Sequence, residues 1–229
     1  MIMLVIGHRG APSLEHENTI PSFKAALKNN VDGLEFDVQY TKDQELVVYH
    51  DFNIMLNNEN FNIEDLTLDE LQNSNLSYTI PTLKELLAIC PKDKTINVEI
   101  KSKHIYNTSL IRDILQLLFK NNFQDNILIS SFNPFVLLEL KRQTKKLKIG
   151  LLWSKDVIEK WYVTHYSSKF LKPYSFHADI KYINTEISDW AHSKGMKLFL
   201  YTVNTHEQLQ LAKEVRADAI FSDYPNILE

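Results

Sequence analysis

The feature that most constrains this fold is the regular alternation of short β-rich runs with helical patterns along the whole chain. Eight principal runs have the apolar and β-branched content of strands. They are Met3–Gly7, Gly33–Tyr40, Thr95–Lys101, Asn126–Phe132, Lys148–Trp153, Ser175–Ile180, Lys197–Val203 and Ala219–Asp223, and an extra run, Glu45–His50, closely follows the second. This alternation is typical of βα units joined in a parallel sheet.

Helix starts between these runs have recognisable capping residues. Capping-box patterns pair Thr67 with Glu70, Thr82 with Glu85 and Thr205 with Gln208. Asn133-Pro134 predicts an N-cap followed by the first helical position, and apolar residues continue that pattern over Phe135–Leu147. Strands of similar length at rather even spacing favour a closed (β/α)8 barrel over an open sheet.

One segment, Asp51–Ile80, interrupts the alternation. It has four asparagines within Asn53–Asn60 and a single short helix signal at Thr67–Gln72. In a barrel, long connections that follow strands lie on the catalytic face. We therefore expect an insertion at about 51–80 within one domain that spans residues 1–229.

Composition excludes several classes of protein. An apolar content of 44% with 11% aromatic residues excludes disorder, and a single cysteine, Cys90, excludes a disulfide scaffold. A net charge of −4 argues against a basic nucleic-acid surface, so we expect no nucleic-acid partner. Neither a transmembrane segment nor a secretory signal is apparent, and the default expectation is a cytoplasmic protein.

Ionisable residues follow several of the predicted strands at their carboxyl ends, where parallel α/β folds place ligands. These residues are His8, Arg9, Glu35, Asp37, His50, Glu99 and Lys101. Because side chains alternate across a strand, Glu35 and Asp37 share one face, about 6.6 Å apart by strand rise. Glu99 and Lys101 share a face in the same way.

Three carboxylates from two strands suggest one divalent cation. Oxygen ligands without cysteine favour a hard ion, Mg²⁺ or Ca²⁺. Arg9 and Lys101 then have a phosphate as their natural partner, and His8 and His50 can act as acid and base near pH 7. Each pair alone is compatible with an ordinary ion pair or a solvated histidine, but their convergence at strand ends favours a phosphoryl-transfer site.

At these residues the sequence resembles the glycerophosphodiester phosphodiesterase family nearly from end to end. The matching motifs are H-R-G at 8–10, E-N-T at 17–19, L-E-F-D-V at 34–38, T-x-D at 41–43, V-x-H-D at 48–51, P-T-L-x-E at 81–85, N-V-E-I-K at 97–101, S-S-F at 130–132, T-V-N at 202–204 and F-S-D-Y-P at 221–225. The order of the motifs follows the family, and the combined set is highly specific.

The resemblance implies a TIM barrel with a small insertion after the second barrel strand. It implies hydrolysis of glycerophosphodiesters to sn-glycerol 3-phosphate and an alcohol, with a small-molecule partner. His8 and His50 match the catalytic pair of the family. Its metal ligands are matched by Glu35, Asp37 and Glu99, and its phosphate-contacting cations by Arg9 and Lys101. In similar enzymes a glycerol hydroxyl attacks phosphorus first, and water then opens the cyclic phosphate.

Three departures from the family pattern concern substrate fit. His16 stands where the family has proline, Tyr201 stands where it has tryptophan, and Phe52–Leu56 lacks the usual Arg-Thr-Thr run. A lysophospholipase D or sphingomyelinase D-like activity on the same fold is therefore the alternative. A non-catalytic phosphodiester-binding module would require a broken site, and all seven key positions are intact.

Overall fold

The fold is a closed barrel of parallel strands, seen in a computed structural model that describes residues 3–104, 107–123, 125–158 and 161–228. Within those residues the strands are β1 (Leu4–His8), β2 (Gly33–Tyr40), β3 (Leu46–Val48), β4 (Asn53–Leu56), β5 (Glu59–Asn62), β6 (Thr95–Ile100), β7 (Ile127–Ser131), β8 (Lys148–Trp153), β9 (Ser175–Asp179), β10 (Lys197–Tyr201) and β11 (Ala219–Ser222). All eight predicted principal runs form strands, each within about two residues of its expected bounds.

Pairing of the first strand closes the ring. β1 is parallel to β11 on one side, with Val5 opposite Ile220, and parallel to β2 on the other, with Gly7 opposite Leu34. The remaining barrel strands follow in chain order from β6 to β11. The extra run forms β3, which pairs antiparallel with the end of β2. The predicted (β/α)8 TIM barrel is confirmed.

Helices surround the barrel and connect its strands. They are α1 (Ile20–Lys28), α2 (Leu68–Gln72), α3 (Leu83–Leu87), α4 (Thr108–Lys120), α5 (Pro134–Gln143), α6 (Trp161–Leu171), α7 (Thr185–Ser193) and α8 (His206–Glu214). The three predicted capping boxes are present at the starts of α2, α3 and α8. Within the described part of the chain, no helix is both long and apolar enough to cross a membrane.

The predicted insertion forms a small unit beside the barrel. β4 and β5 make a two-stranded antiparallel hairpin, and a 3-10 turn (Ile63–Asp65) and α2 follow it. Its apolar side chains pack in a cluster of their own, which includes Ile54, Ile63 and Leu71. Val47 of β3 belongs to the same cluster and joins this unit to the barrel wall.

Candidate active site

A cavity of about 830 Å³ opens where the barrel strands end. Six of the seven predicted site residues line it, namely His8, Arg9, Glu35, His50, Glu99 and Lys101. Asp37 lies behind this surface and is 1% exposed. The structure therefore places the predicted residues together at one end of the barrel, where the carboxyl ends of parallel strands meet.

The carboxylates of Glu35, Asp37 and Glu99 form a compact triad. One oxygen from each lies within 4.8 Å of the others, and the residues are 4%, 1% and 8% exposed. The strand register explains the geometry, because Asp37 on β2 lies directly opposite Glu99 on β6. Three like charges in so small a buried space need a cation to be stable when ionised.

The triad's electrostatics fit a bound cation. Burial raises the pKa of Glu35 well above its usual range, and Asp37 and Glu99 add to the rise. Burial also raises the pKa of Glu99, despite the opposing charge of Lys101. Asp37 Oδ1 is buried and accepts no hydrogen bond from any described residue. A donor set made only of oxygens, one of them buried and without a hydrogen-bond donor, suits a hard divalent ion. The triad could therefore hold a metal ion.

Arg9 occupies a tight turn directly after β1. Its φ is 52° and that of Gly10 is 92°, which turns the chain sharply over the triad. The Arg9 backbone N–H donates to Glu35 Oε2 at 2.9 Å, and Arg9 Nε lies 3.5 Å from Asp37 Oδ2. Arg9 Nη1 donates to Glu17 Oε1 at 2.9 Å, so the guanidinium bridges the triad and the Glu17 carboxylate.

Lys101 supplies a second cation beside the triad. Its Nζ donates to Glu99 Oε1 at 3.1 Å and lies 3.9 Å from Asp37 Oδ1. Burial works against the lysine charge, but Glu99 and Asp37 outweigh it and raise the pKa of Lys101. Burial also opposes ionisation of Asp37, yet Lys101 and Arg9 lower its pKa overall. Both cations therefore stay charged beside the triad.

Each of the two histidines has a carboxylate on its Nδ1 atom. His8 Nδ1 is 2.7 Å from Asp223 Oδ1, and His50 Nδ1 is 2.7 Å from Asp51 Oδ1. Burial lowers the pKa of His50, and Asp37 opposes that effect only in part. In each ring, Nε2 is the nitrogen that remains for a substrate in the cavity.

Three polar residues that contact the site had no role in the sequence prediction. Asn18 Nδ2 donates to Asp37 Oδ2 at 2.9 Å, Asp223 binds His8, and Asn204 binds Asp223. All three belong to motifs that carry the family resemblance, E-N-T, F-S-D-Y-P and T-V-N. Asp223 immediately follows β11, so the same strand-end rule could have found it.

Comparison with known proteins decides the family. The sequence matches the glycerophosphoryl diester phosphodiesterase family over residues 8–227. The chain belongs to the glycerophosphoryl diester phosphodiesterase family. A glycerophosphodiester phosphodiesterase of Caldanaerobacter subterraneus subsp. tengcongensis is 34% identical over 240 residues, which cover 100% of this chain and 97% of the relative.

Solved structures share the fold of this phosphodiesterase family member. The glycerophosphodiester phosphodiesterase of Thermotoga maritima superimposes with a TM-score of 0.82 at 27% identity, covering 100% of this chain and 97% of that one. A phosphodiesterase of Oleispira antarctica, solved with the product sn-glycerol-3-phosphate, gives 0.85 at 24% identity, covering 97% and 93%. The predicted family is confirmed, and with it the enzyme class, a phosphoric diester hydrolase.

Proposed function

We propose that this phosphodiesterase hydrolyses glycerophosphodiesters to sn-glycerol 3-phosphate and an alcohol in a metal-dependent reaction. The observation that carries the proposal is the juxtaposition of a buried carboxylate triad, two cations and two histidines around one cavity. Membership of the family supports the reaction class, and the chemistry of the side chains supports their individual roles.

In this proposal Glu35, Asp37 and Glu99 hold one divalent cation, Mg²⁺ or Ca²⁺. When bound, the ion supplies positive charge that stabilises the oxygens of the phosphodiester during the reaction. The triad's burial keeps bulk water from weakening that electrostatic effect. Asn18 Nδ2 and Arg9 Nε both contact Asp37 Oδ2 and hold that carboxylate in place.

Arg9 and Lys101 bind the phosphate in this proposal. Arginine presents a planar fork of donors that suits phosphate oxygens, whereas lysine adds a compact charge. Both line the cavity and flank the triad, so a phosphodiester between them would lie beside the carboxylates. Their charges also offset the cost of bringing an anion towards three acidic groups.

His8 and His50 share the proton transfers. One takes the proton of the attacking glycerol hydroxyl as the O–P bond forms, and the other gives a proton to the alcohol oxygen as its bond to phosphorus breaks. Water then opens the resulting cyclic phosphate to sn-glycerol 3-phosphate, with the two histidines in exchanged roles, which restores their starting protonation states. With Nδ1 of each ring bound to a carboxylate, Nε2 is the atom that exchanges the proton. Such acid–base catalysis contributes about 10²–10⁴-fold in rate.

The test is release of sn-glycerol 3-phosphate from glycerophosphocholine with Mg²⁺ or Ca²⁺, and again after EDTA. His8→Ala and His50→Ala run beside the wild type, and we expect each to lower kcat by about 10²–10⁴-fold. His192→Ala is the matched control, because His192 lies in the last turn of α7 and pairs with Asp218 instead of lining the cavity.

Each outcome bears on a separate part of the proposal. Release that survives EDTA would contradict metal dependence, and full activity in either active-site histidine variant would contradict the acid–base assignment. Turnover of lysophosphatidylcholine without turnover of glycerophosphocholine would favour the lysophospholipase D alternative. Tight binding of substrate with no turnover would favour a phosphodiester-binding module.

A further inference from the structure

We propose that Asp223, held in place by Asn204, is the positioning residue for His8; the inference rests on the proposed function. Asp223 Oδ1 lies 2.7 Å from His8 Nδ1, at the seam where β11 pairs with β1. A carboxylate in this position fixes the plane of the imidazole and favours the tautomer with the proton on Nδ1. That tautomer leaves Nε2 unprotonated and directed to substrate.

Asp223 is itself held by a reciprocal pair of hydrogen bonds with Asn204. Asn204 Nδ2 donates to Asp223 Oδ2, and the Asp223 backbone N–H donates to Asn204 Oδ1 at 2.9 Å. The Asn204 backbone N–H donates in turn to Gln208 Oε1 at 2.7 Å in the first turn of α8. Asn204 therefore links the Asp223 carboxylate to the start of α8 and to the backbone of Asp223. The carboxylate cannot rotate away from His8 without breaking these bonds.

Electrostatics agree with this arrangement. Burial opposes ionisation of Asp223, but hydrogen bonds from His8 and Asn204 outweigh it and lower its pKa. The carboxylate therefore stays ionised, as it must to stabilise a histidine that gains a proton during the reaction.

The other histidine pair lacks such support. His50 and Asp51 are also 2.7 Å apart, but the Asp51 side chain is 69% exposed against 26% for Asp223. Among the described residues, the Asp51 carboxylate has no partner besides His50. An exposed and singly bonded pair contributes little, because water competes for the carboxylate and its side chain retains freedom. The two contacts have equal lengths, but only the Asp223 contact holds its histidine ring firmly in one orientation.

The first measurement concerns the ring itself and does not need turnover. In ¹⁵N-histidine spectra above the histidine pKa range, we expect wild-type His8 in the Nδ1–H tautomer and Asp223→Asn in the Nε2–H tautomer. The His8 signal is identified by its loss in His8→Ala. The same tautomer in wild type and Asp223→Asn would overturn the inference, whether or not the protein hydrolyses the substrate tested.

The second measurement is steady-state hydrolysis of glycerophosphocholine by Asp223→Asn, Asn204→Ala and the matched variant Asp51→Asn. We expect Asp223→Asn to lower kcat about 10²-fold with KM within about threefold, because acid–base catalysis weakens while substrate contacts remain. Asn204→Ala should lower kcat by less, and Asp51→Asn by less than about tenfold.

Circular dichroism and urea unfolding identify any variant that fails to fold, and Asn204→Ala then replaces Asp223→Asn in both measurements. A kcat within threefold of wild type for Asp223→Asn would overturn the inference. An equal loss in Asp51→Asn would overturn the distinction drawn between the two pairs, since the exposed Asp51 carboxylate would then support His50 as strongly as Asp223 supports His8. An inactive wild type would contradict the proposed function, and the tautomer measurement would decide the inference alone.

Discussion

At the scale of single residues, repulsion within the carboxylate triad destabilises the metal-free protein. Glu35→Gln removes one of three buried charges while retaining an oxygen that can accept the Arg9 backbone N–H bond. We expect the metal-free variant to melt higher than wild type by about 2–4 °C, the shift that about 1 kcal/mol gives in a chain of this size.

The same substitution should abolish the response to metal. Wild type should gain about 2.7 kcal/mol at a metal concentration 100 times Kd, and Glu35→Gln should gain little. Thermal unfolding with EDTA and with Ca²⁺ or Mg²⁺ measures both effects, and Glu45→Gln, at an exposed position before β3, is the control. A variant that melts lower than wild type in EDTA and still responds to metal would contradict a metal role for the triad.

A second prediction at this scale concerns His177, which is buried in the barrel with its Nε2 atom 2.8 Å from Ser175 Oγ. Burial lowers the pKa of His177 from 6.5 to about 3. Between these values the unfolded chain binds a proton that the folded protein does not. The contribution of neutral, buried His177 to the free energy of unfolding is therefore fully present above about pH 6.5, and it falls as the pH drops towards 3.

From pH 7 to pH 5 this linkage costs about 2 kcal/mol of unfolding free energy. His177→Gln, which cannot take up the proton, should lose about that much less than wild type over the same interval. Urea unfolding at the two pH values measures the difference, with the exposed His206→Gln as control. Equal losses in wild type and His177→Gln would show that His177 does not titrate on unfolding as its burial requires.

Single residues also show where prediction from sequence stopped. Strand alternation and the strand-end rule predicted seven candidate site residues, six of which line one cavity, because both rules depend only on local spacing. The partner of His8 was missed, since Asp223 is 215 positions away and reaches His8 only when the barrel closes. The strand-end rule could have proposed Asp223 as a site residue, but its pairing with His8 depends on topology and has no local sequence signal.

At the scale of elements, the turn between β1 and α1 needs a glycine at position 10. Gly10 has a φ of +92°, and a Cβ there would lie 2.7 Å from the backbone carbon of Ser22. Ser22 Oγ donates to the Arg9 carbonyl at 3.0 Å, so the turn and the start of α1 cannot separate freely. Gly10→Ala should cost about 3 kcal/mol and weaken metal binding by moving Arg9 away from Glu35.

Gly195→Ala is the matched control for that substitution. Gly195 also has a positive φ, +73°, but a Cβ there would meet nothing within 4 Å. Only the strain of the left-handed conformation remains, about 1 kcal/mol. Urea unfolding compares the two variants, and equal losses would mean that crowding against α1 does not constrain the turn.

Two elements differ from expectation for local reasons. The apolar pattern over Phe135–Leu147 predicts a longer helix than α5, which ends at Gln143 because Thr144 is extended, with φ −150° and ψ 144°. The β4–β5 hairpin was missed because its strands are rich in asparagine. Asn57 and Asn58 have φ of 51° and 66°, the positive values of a tight hairpin turn, and paired asparagines are the signal that could have predicted it.

At the scale of the whole molecule, the local sequence pattern favours closure of the strands into a ring but cannot decide it. Even strand spacing is compatible with an open sheet, and the pairing of β1 with both β2 and β11 is what makes a barrel. Closure also assembles the site, because His8 lies on β1 between Glu35 on β2 and Asp223 after β11. The site and the barrel therefore form together.

One domain over residues 1–229 stays a prediction, and the insertion is where it can be tested. The barrel strands are each paired on two sides, whereas β4 and β5 pair only with each other and share a small apolar cluster. Fewer buried contacts mean a lower free energy for local opening. We expect hydrogen exchange to give a smaller opening free energy for the backbone amides of β4 and β5 than for those of β7 and β8.

This difference has a consequence for catalysis, because His50 lies between β3 and the hairpin. If the insertion opens first, rising urea should abolish hydrolysis of glycerophosphocholine below the midpoint of far-ultraviolet circular dichroism, which reports mainly the barrel and its helices. Activity and circular dichroism measured in parallel give the two midpoints, and hydrogen exchange followed by mass spectrometry gives the opening free energies. Coincident midpoints, with equal opening free energies in β4 and β7, would show instead that insertion and barrel unfold as one cooperative unit.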